Sequence, residues 1–472
     1  MKVFLNKQLF LRGSVLFLML ITMQSCLVTK NYERPDLEDE TENLFRTDAL
    51  PTDSLSMADV SWKDVFTDPY LTQYIEEGLQ NNIDIRVAIQ QIITGEAYLK
   101  QGKAGYLPTL SAGASLTHQE LAANSQFGSF FDGAIDQYEA VATLSWEADV
   151  WGKIRSNKRA FQASYLKSIA AHQAVKTKLI ETIATTYYTL VALDAQLEIA
   201  KETTETRRKS VETIEALKEA GQVTQVAVDQ NVAQYNNVRA LQIDIQREIF
   251  KTENALSILL GKQPQNYERN PLDAQNITTE MKLGVPYVLL RNRPDVIAAE
   301  NDFIQAFEMT NVAKTNFYPS LTLSASGGFQ SLEFDNWFNT NSLFANIVGG
   351  LTQPIFNQRK IKTQYEVSQA QQEQAFLNFK QTLLVAGQEV SNALYTYQAE
   401  VDKFEFRENE VEALRRAEHN SEILLDNGYA NYLDLLTARQ SVLTAELNSI
   451  DNKLEQLLAV VRFYKALGGG WK

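Results

Sequence analysis

The histidines and the single cysteine are the side chains of this chain best suited to chemistry near neutral pH. His118, His172 and His419 stand far apart, without the close spacing that a metal site requires. No Ser-His-Asp arrangement is recognisable, and the run Gly468-Gly-Gly470 ends the chain after a helical segment, where a cap or tail is expected rather than a phosphate loop. The sequence therefore predicts no enzyme, no metal site and no cofactor.

Cys26 is the only cysteine, so an internal disulfide is excluded. It follows a basic segment with Lys2, Lys7 and Arg12, and then an apolar run over residues 15–23, which together are typical of a secretory signal. Its position resembles the lipobox of bacterial lipoproteins, with Met in place of the preferred Leu three residues earlier. We expect lipid attachment at Cys26; the alternative is a leftover cysteine in a cleaved peptide.

Charge and hydropathy exclude two further classes. The net charge of −14 argues against a nucleic-acid partner, which would need a basic face. Beyond the signal, no segment approaches the ~18 consecutive apolar residues of a membrane helix. If the mature protein spans a membrane, it must therefore use β-strands.

The chain carries an internal duplication, which fixes its architecture before any motif does. Early matched pairs lie 211 residues apart and later pairs 207 apart, so one loop differs in length by four residues between the copies. The pairs are Asp84 with Asp295, Pro108 with Pro319, Ile154 with Ile361, Gly221 with Gly428, and Leu260 with Leu467.

Four segments alternate strictly between apolar and polar residues: 109–117, 139–147, 320–329 and 343–352. Alternation fits either a half-buried strand of a soluble sheet or a membrane strand that faces lipid and a water-filled lumen. The polar positions are mostly Ser, Thr and Gly, and the lengths match the ~9–11 residues of a spanning strand, which favours the membrane. Because closed barrels need about eight strands, several chains must combine theirs.

Long helices are predicted over residues 153–220, 223–259, 361–427 and 431–467. The first would extend roughly 100 Å, which is too long for an ordinary globular domain. Such helices could wall a water-filled tube or form a plain coiled-coil rod, but a rod does not explain two β-hairpins at matching places.

Five motifs carry a resemblance over nearly the whole mature chain, and they occupy residues 285–295, 317–323, 351–356, 428–436 and 464–471. They read VPYVLLRNRPD, FYPSLTL, LTQPIF, GYANYLDLL and YKALGGGW. With the lipobox and the duplication, the chain resembles the TolC-like outer membrane efflux protein family, in its OprM/NodT-like lipoprotein branch.

The resemblance implies an α+β membrane protein in which long α-helical hairpins and two β-hairpins are duplicated. A homotrimer would form a twelve-stranded β-barrel and a periplasmic α-helical barrel. The implied function is the outer membrane exit duct of an RND-type tripartite efflux pump, lipid-anchored, with a periplasmic adaptor and an inner membrane transporter as partners. The alternatives are an outer membrane component of protein secretion and a structural coiled-coil envelope lipoprotein.

The predicted organisation has five parts. They are a signal peptide (1–25), an N-terminal extension after the lipidated cysteine (26–61), a first repeat (62–261, hairpin about 107–147), a linker (262–284) and a second repeat (285–472, hairpin about 319–356).

Two sets of site residues complete the prediction. The turns farthest from the hairpins should contact the adaptor, through Gly221, Gln222, Gly428 and Tyr429. In relatives, the resemblance implies, a leucine and an aspartate four residues later close the tube. Here the leucine position is Leu433 and the acid position is Thr437, so Asp434 and Asp426 are alternative sources of charge at the gate.

Overall fold

The described elements follow one order twice along the chain. The computed structural model describes residues 28–37, 44–46, 57–122, 124–125, 128, 134–275 and 289–471. Its main elements are α1 (Pro69–Asn81), α2 (Ile83–Ala104), β1 (Thr109–Glu120), β2 (Ala134–Ala148), α3 (Lys153–Glu219), α4 (Gln225–Leu259), α5 (Pro294–Thr315), β3 (Ser320–Ser331), β4 (Leu343–Thr352), α6 (Lys360–Asp426) and α7 (Tyr432–Ala466). Four-residue helices lie at Trp62–Val65 and Leu289–Asn292, and 3-10 turns at Met57–Asp59, Leu272–Ala274, Phe334–Asn336 and Thr340–Ser342.

Equivalent helices of the two copies have equal lengths. α2 and α5 have 22 residues each, α3 and α6 have 67, and α4 and α7 have 35. The first pair starts 211 residues apart and the other two start 207 apart, as the sequence predicts. The predicted long helices are therefore confirmed to within two residues at each end. A membrane-spanning helix is absent from the described residues, because none of their helices combines the necessary length and hydropathy.

The four strands form one antiparallel sheet in the order β1-β2-β3-β4. Residues directly opposite one another share a face, and the register aligns Leu110, Leu144, Ala325 and Ile347 in one row across the sheet. The adjacent row is Ser111, Thr143, Ser326 and Asn346. The predicted alternation thus produces an apolar face and a polar face. All four predicted strands are confirmed, and the first three extend beyond their predicted ends.

The chain divides into two compact units, and each unit contains residues of both repeats. The first takes the described residues up to 35, with 93–167 and 299–379, and contains the sheet; the second takes the described parts of 36–92, 168–298 and 380–472. In the second unit, Ile183, Tyr187 and Leu190 of α3 are fully buried. These side chains form part of the core against which the rest of that unit packs.

Gly387 is the one glycine inside a long helix, and α6 continues through it without a break. A Cβ atom at this position would lie 2.6 Å from the side chain of Leu44. The glycine therefore makes room for a segment of the N-terminal extension, whose Arg46 N–H donates to Ser391 Oγ at 3.0 Å.

Candidate functional site at the helix tips

The helices α3 and α6 end in the same glycine turn. Gly221 and Gly428 have φ of +74° and +76°, in the left-handed region that glycine adopts readily. In the first turn the Gly221 and Gln222 N–H groups donate to the carbonyls of Lys218 and Leu217. The turn at Gly428 and Tyr429 repeats this pattern, with the carbonyls of Leu425 and Leu424 as acceptors. Each turn is a Schellman motif, which satisfies the last carbonyls of its helix.

The residues predicted to contact an adaptor are open to solvent in the single chain. Tyr429 is 82% exposed, and Gln222 is exposed in the equivalent turn. A Cβ atom at Gly221 or Gly428 would meet no atom within 4 Å. Backbone conformation, and not crowding, is therefore what restricts these two positions to glycine.

The predicted gate residues lie at the end of α6 and in the first turns of α7. Leu433 is 54% exposed, and the Thr437 hydroxyl donates to the Leu433 carbonyl at 2.9 Å, one helical turn away. Asp434 is the third residue of α7 and completes a capping box with Asn431. Asp426, the last residue of α6, is exposed. Asp434 thus has a capping role that the sequence analysis did not assign to it.

The two copies differ at this cap. Thr224 precedes α4 at the position equivalent to Asn431, but its side chain makes no capping bond. Val226 is the counterpart of Leu433 and is 63% exposed. The second copy therefore starts its last helix with a polar cap that the first copy lacks.

Behind the capped turn, polar side chains of all four long helices meet in what we call the tip cluster. It comprises Arg207 and Ser210 of α3, Asn231 of α4, Glu418 and Glu422 of α6, and Tyr432 and Arg439 of α7.

Within the tip cluster, Tyr432 and Arg439 link α7 to the other three helices. The Tyr432 hydroxyl donates to Asn231 Oδ1, and the Asn231 amide donates in turn to the Ala227 carbonyl at 2.8 Å. Arg439 donates to Ser210 Oγ. Its guanidinium also reaches Glu418 Oε1 at 3.3 Å and Glu422 Oε1 at 2.8 Å. These bonds hold the start of α7 against the other three helices.

Arg207 is the exception in the tip cluster. Its side chain is 1% exposed, and its three guanidinium nitrogens are buried without a hydrogen-bond partner among the described residues. Burial lowers the pKa of Arg207, and the positive charge of Arg439 lowers it further.

The sequence analysis did not find the tip cluster, although the duplication contains a signal for it. At the 207-residue offset, Arg207 is matched by Leu414, Tyr432 by Gln225, and Arg439 by Val232. A position that holds a polar residue in one copy and an apolar or neutral residue in the other is a position where the copies have diverged. A comparison of the two copies would have singled them out.

A second polar network lies at the C-terminal ends of α4 and α7, the last long helix of each copy. Asn82 Nδ2 donates to the Leu259 carbonyl at 2.9 Å, and Arg293 Nη1, at the equivalent position of the second copy, donates to the Ala466 carbonyl at 3.0 Å. Burial would raise the pKa of Asp295, but its hydrogen bond to Arg293 and the charge of that residue hold the pKa below its ordinary value.

Cys26 lies outside the described residues, but the segment that follows it is docked. We call residues 28–35 the N-terminal strap. The Lys30 N–H donates to Asn311 Oδ1 at 3.2 Å, and the Asn311 amide returns a bond to the Lys30 carbonyl at 3.0 Å. Arg34 pairs with Glu300 through two nitrogens, and Tyr32 packs edge-on against Phe303.

Comparison with known proteins also finds two copies in the chain. Residues 74–262 and 285–469 match the model of the outer membrane efflux protein family. The chain belongs to this family. It is an outer membrane efflux channel, the exit duct of a tripartite pump, and the predicted family and function are confirmed. The family consists of channels and not of enzymes, and its members work with an adaptor and an inner membrane transporter.

Individual relatives are similar over most of their length. The solvent efflux pump outer membrane protein SrpC of Pseudomonas putida is 28% identical over 411 residues, which cover 87% of each chain. The outer-membrane channel OprN has the same fold, with a TM-score of 0.85 at 24% identity over 94% of this chain and all of OprN. The MtrE outer membrane channel of Neisseria gonorrhoeae gives a TM-score of 0.82 at 26% identity over 94% and 98% of the two chains.

Proposed function

We propose that this efflux channel works as a homotrimer in which each chain contributes four strands to a closed twelve-stranded barrel and four long helices to a periplasmic tube. The observation that carries the proposal is the sheet order, in which β1 and β4 are the two outer strands of the described sheet. Backbone groups at a sheet edge have no partner in lipid, and pairing between chains would satisfy them.

The exposed apolar face of the sheet supports the same assembly. Leu110 is 73% exposed and Ile347 is 75% exposed, on the two outer strands. Such a face suits contact with acyl chains, while the polar row of small side chains suits a water-filled lumen. Native mass spectrometry of the detergent-purified protein tests the assembly. A trimer is expected, and a monomer in mild detergent would contradict the proposal.

We propose that Cys26 carries the lipid anchor and that residues 1–25 are removed as a signal peptide. The docked N-terminal strap supports this, because it starts two residues after the cysteine and would hold the acylated end in a fixed place. The variant Cys26→Ala should lose labelling by a palmitate analogue, and Lys30→Ala serves as a control that keeps the cysteine. Unchanged labelling in Cys26→Ala would refute the anchor.

The remaining predicted boundaries are part of the same proposal: an extension over 26–61, repeats over 62–261 and 285–472, and a linker over 262–284. Equal helix lengths in the two copies support the repeat boundaries.

We propose that the tips contact the adaptor through Gly221, Gln222, Gly428 and Tyr429. We also propose that the resting channel is closed near these tips. In this proposal Leu433 forms the apolar constriction and Thr437 lies one turn beyond it. Asp434 is occupied by its cap, so Asp426 is the freer acid near the gate.

Small molecules are the proposed cargo. SrpC belongs by name to a solvent efflux pump, and that relationship favours small-molecule export over protein secretion. Deletion of the gene should increase the sensitivity of cells to toluene while the set of secreted proteins stays the same. Loss of secreted proteins with normal toluene tolerance would favour the secretion alternative.

A further inference from the structure

Arg207 carries a positive charge that has been removed from water without compensation by a hydrogen bond. A buried guanidinium normally pairs with carboxylates or carbonyls, because the cost of burying an unpaired charge is large. Here all three nitrogens are buried, and no described residue of the chain forms a hydrogen bond with them. A second copy of the chain cannot reach the guanidinium, because residues of the same protomer as Arg207 already cover it.

The charges around Arg207 relieve this cost only in part. Glu418 is near enough to favour the charged form of Arg207, but the carboxylate of Glu418 accepts its hydrogen bond from Arg439. Arg439 itself is a second positive charge facing Arg207, and Tyr432 is engaged with Asn231. The hydrogen bonds of Glu418 and Tyr432 thus go to Arg439 and Asn231 and not to Arg207.

We propose that Arg207 is a gating residue that opposes the hydrogen bonds made by the other members of the tip cluster. The bonds of Tyr432 and Arg439 hold α7 against α3, α4 and α6, whereas Arg207, which lies near both of these residues, gains hydration when α7 moves away. Its unpaired charge therefore raises the free energy of the joined arrangement and shifts the equilibrium of the tip towards separation. This inference rests on the proposed gate at the start of α7.

The test uses the purified full-length protein in planar bilayers, in a Leu433→Ala background that the proposed gate predicts to be leaky. Arg207→Met removes the charge and keeps an apolar stem of similar length. It should lower the open probability about tenfold. Removing even part of the free-energy cost of a buried unpaired charge is enough to shift the equilibrium by that factor. Arg207→Lys keeps the charge and should stay close to the parent. Single-channel conductance should not change in either variant, because the side chain is buried and does not line the pore.

The outcomes separate this inference from the function on which it rests. If Leu433→Ala leaks and Arg207→Met leaves the open probability unchanged or higher, the role of Arg207 is overturned and the gate stands. If Leu433→Ala does not leak, the gate at α7 is wrong and the role of Arg207 is overturned with it. Arg207→Gln, also neutral, replaces Arg207→Met should the latter fail to assemble, and the same decrease is expected of it.

Discussion

The Tyr432 hydroxyl donates a hydrogen bond to Asn231 Oδ1, and this bond joins α7 to α4, the last long helices of the two repeats. Asn231 is 1% exposed, and its amide group is fixed by the Ala227 carbonyl. The acceptor oxygen is therefore held in place for Tyr432. Because Tyr432 is the first residue of α7 and precedes Leu433, the bond connects the proposed gate directly to the helix of the other copy.

Loss of this bond should loosen the tip. Tyr432→Phe removes the donor and leaves the buried oxygen of Asn231 unpaired, at a cost of ~1–3 kcal/mol. We expect more frequent channel openings in planar bilayers, by about fivefold or more. Tyr429→Phe is the matched control, because that side chain is 82% exposed, and it should leave the opening frequency unchanged. Equal opening in the two variants would mean that the bond does not hold the tip closed.

Leu433 should close the tube by excluding water from a narrow apolar ring. Leu433→Ala is expected to raise resting conductance and to admit vancomycin into cells, with the same yield of trimer. Val226→Ala is the control, because Val226 occupies the equivalent position of the first copy and is similarly exposed. Wild-type conductance in Leu433→Ala would locate the gate elsewhere, with Asp426 and Asp434 as the next positions to test.

The tip glycines should be needed for their backbone conformation. Gly221→Val and Gly428→Val place a β-branched residue at positive φ, which costs ~1–3 kcal/mol in each turn. We predict loss of efflux with normal trimer levels, measured as dye retention in cells that also express the adaptor and transporter. Gly221→Asn and Gly428→Asn tolerate positive φ and should retain efflux. Normal efflux in both valine variants would refute a role of these turns in adaptor contact.

Acid should weaken the network around Arg293. Burial works against ionisation of Asp295 and Glu389, but Arg293 outweighs it and lowers the pKa of both carboxyls. Their stabilising contribution is complete above the unfolded pKa values and is lost as the pH falls through the folded ones, that is, below about pH 4.

The variant Arg293→Gln tests this pH dependence. It should lower the thermal unfolding midpoint at pH 7 and reduce the further decrease between pH 5 and pH 3, because Asp295 and Glu389 lose the cation that lowers their pKa. Arg416→Gln removes one member of an exposed ion pair with Glu412 and should change neither. If both variants show the same acid profile as the parent, the network does not depend on its carboxylates.

The duplicated frame could be predicted because it depends on local pattern. Alternation of apolar and small polar residues defines the strands, and the absence of glycine and proline over residues 153–220 defines α3. The glycines at 221 and 428 end their helices for a conformational reason that is legible in the sequence. The offsets of 211 and 207 residues that separate the matched motifs also separate the matched helix ends.

The tip cluster could not be predicted in the same way. Tyr432 and Asn231 are 201 positions apart, and only the packing of α7 on α4 brings them together. Asp434 was singled out as a charge for the gate, but a capping box is a second use for an acid at the third helical position. A local motif therefore identified the residue without revealing which group it bonds.

Real-time efflux of a lipophilic dye from cells tests the central claim most directly. Cells that lack this gene are loaded with the dye, energised, and followed by fluorescence, with and without the wild-type gene on a plasmid. An exit duct predicts slow efflux in the deletion strain and restoration by the wild-type gene, but no restoration by a variant that lacks β3 and β4 (residues 320–352). Efflux at the wild-type rate in the deletion strain, or full restoration by the strand-deleted variant, would contradict the account.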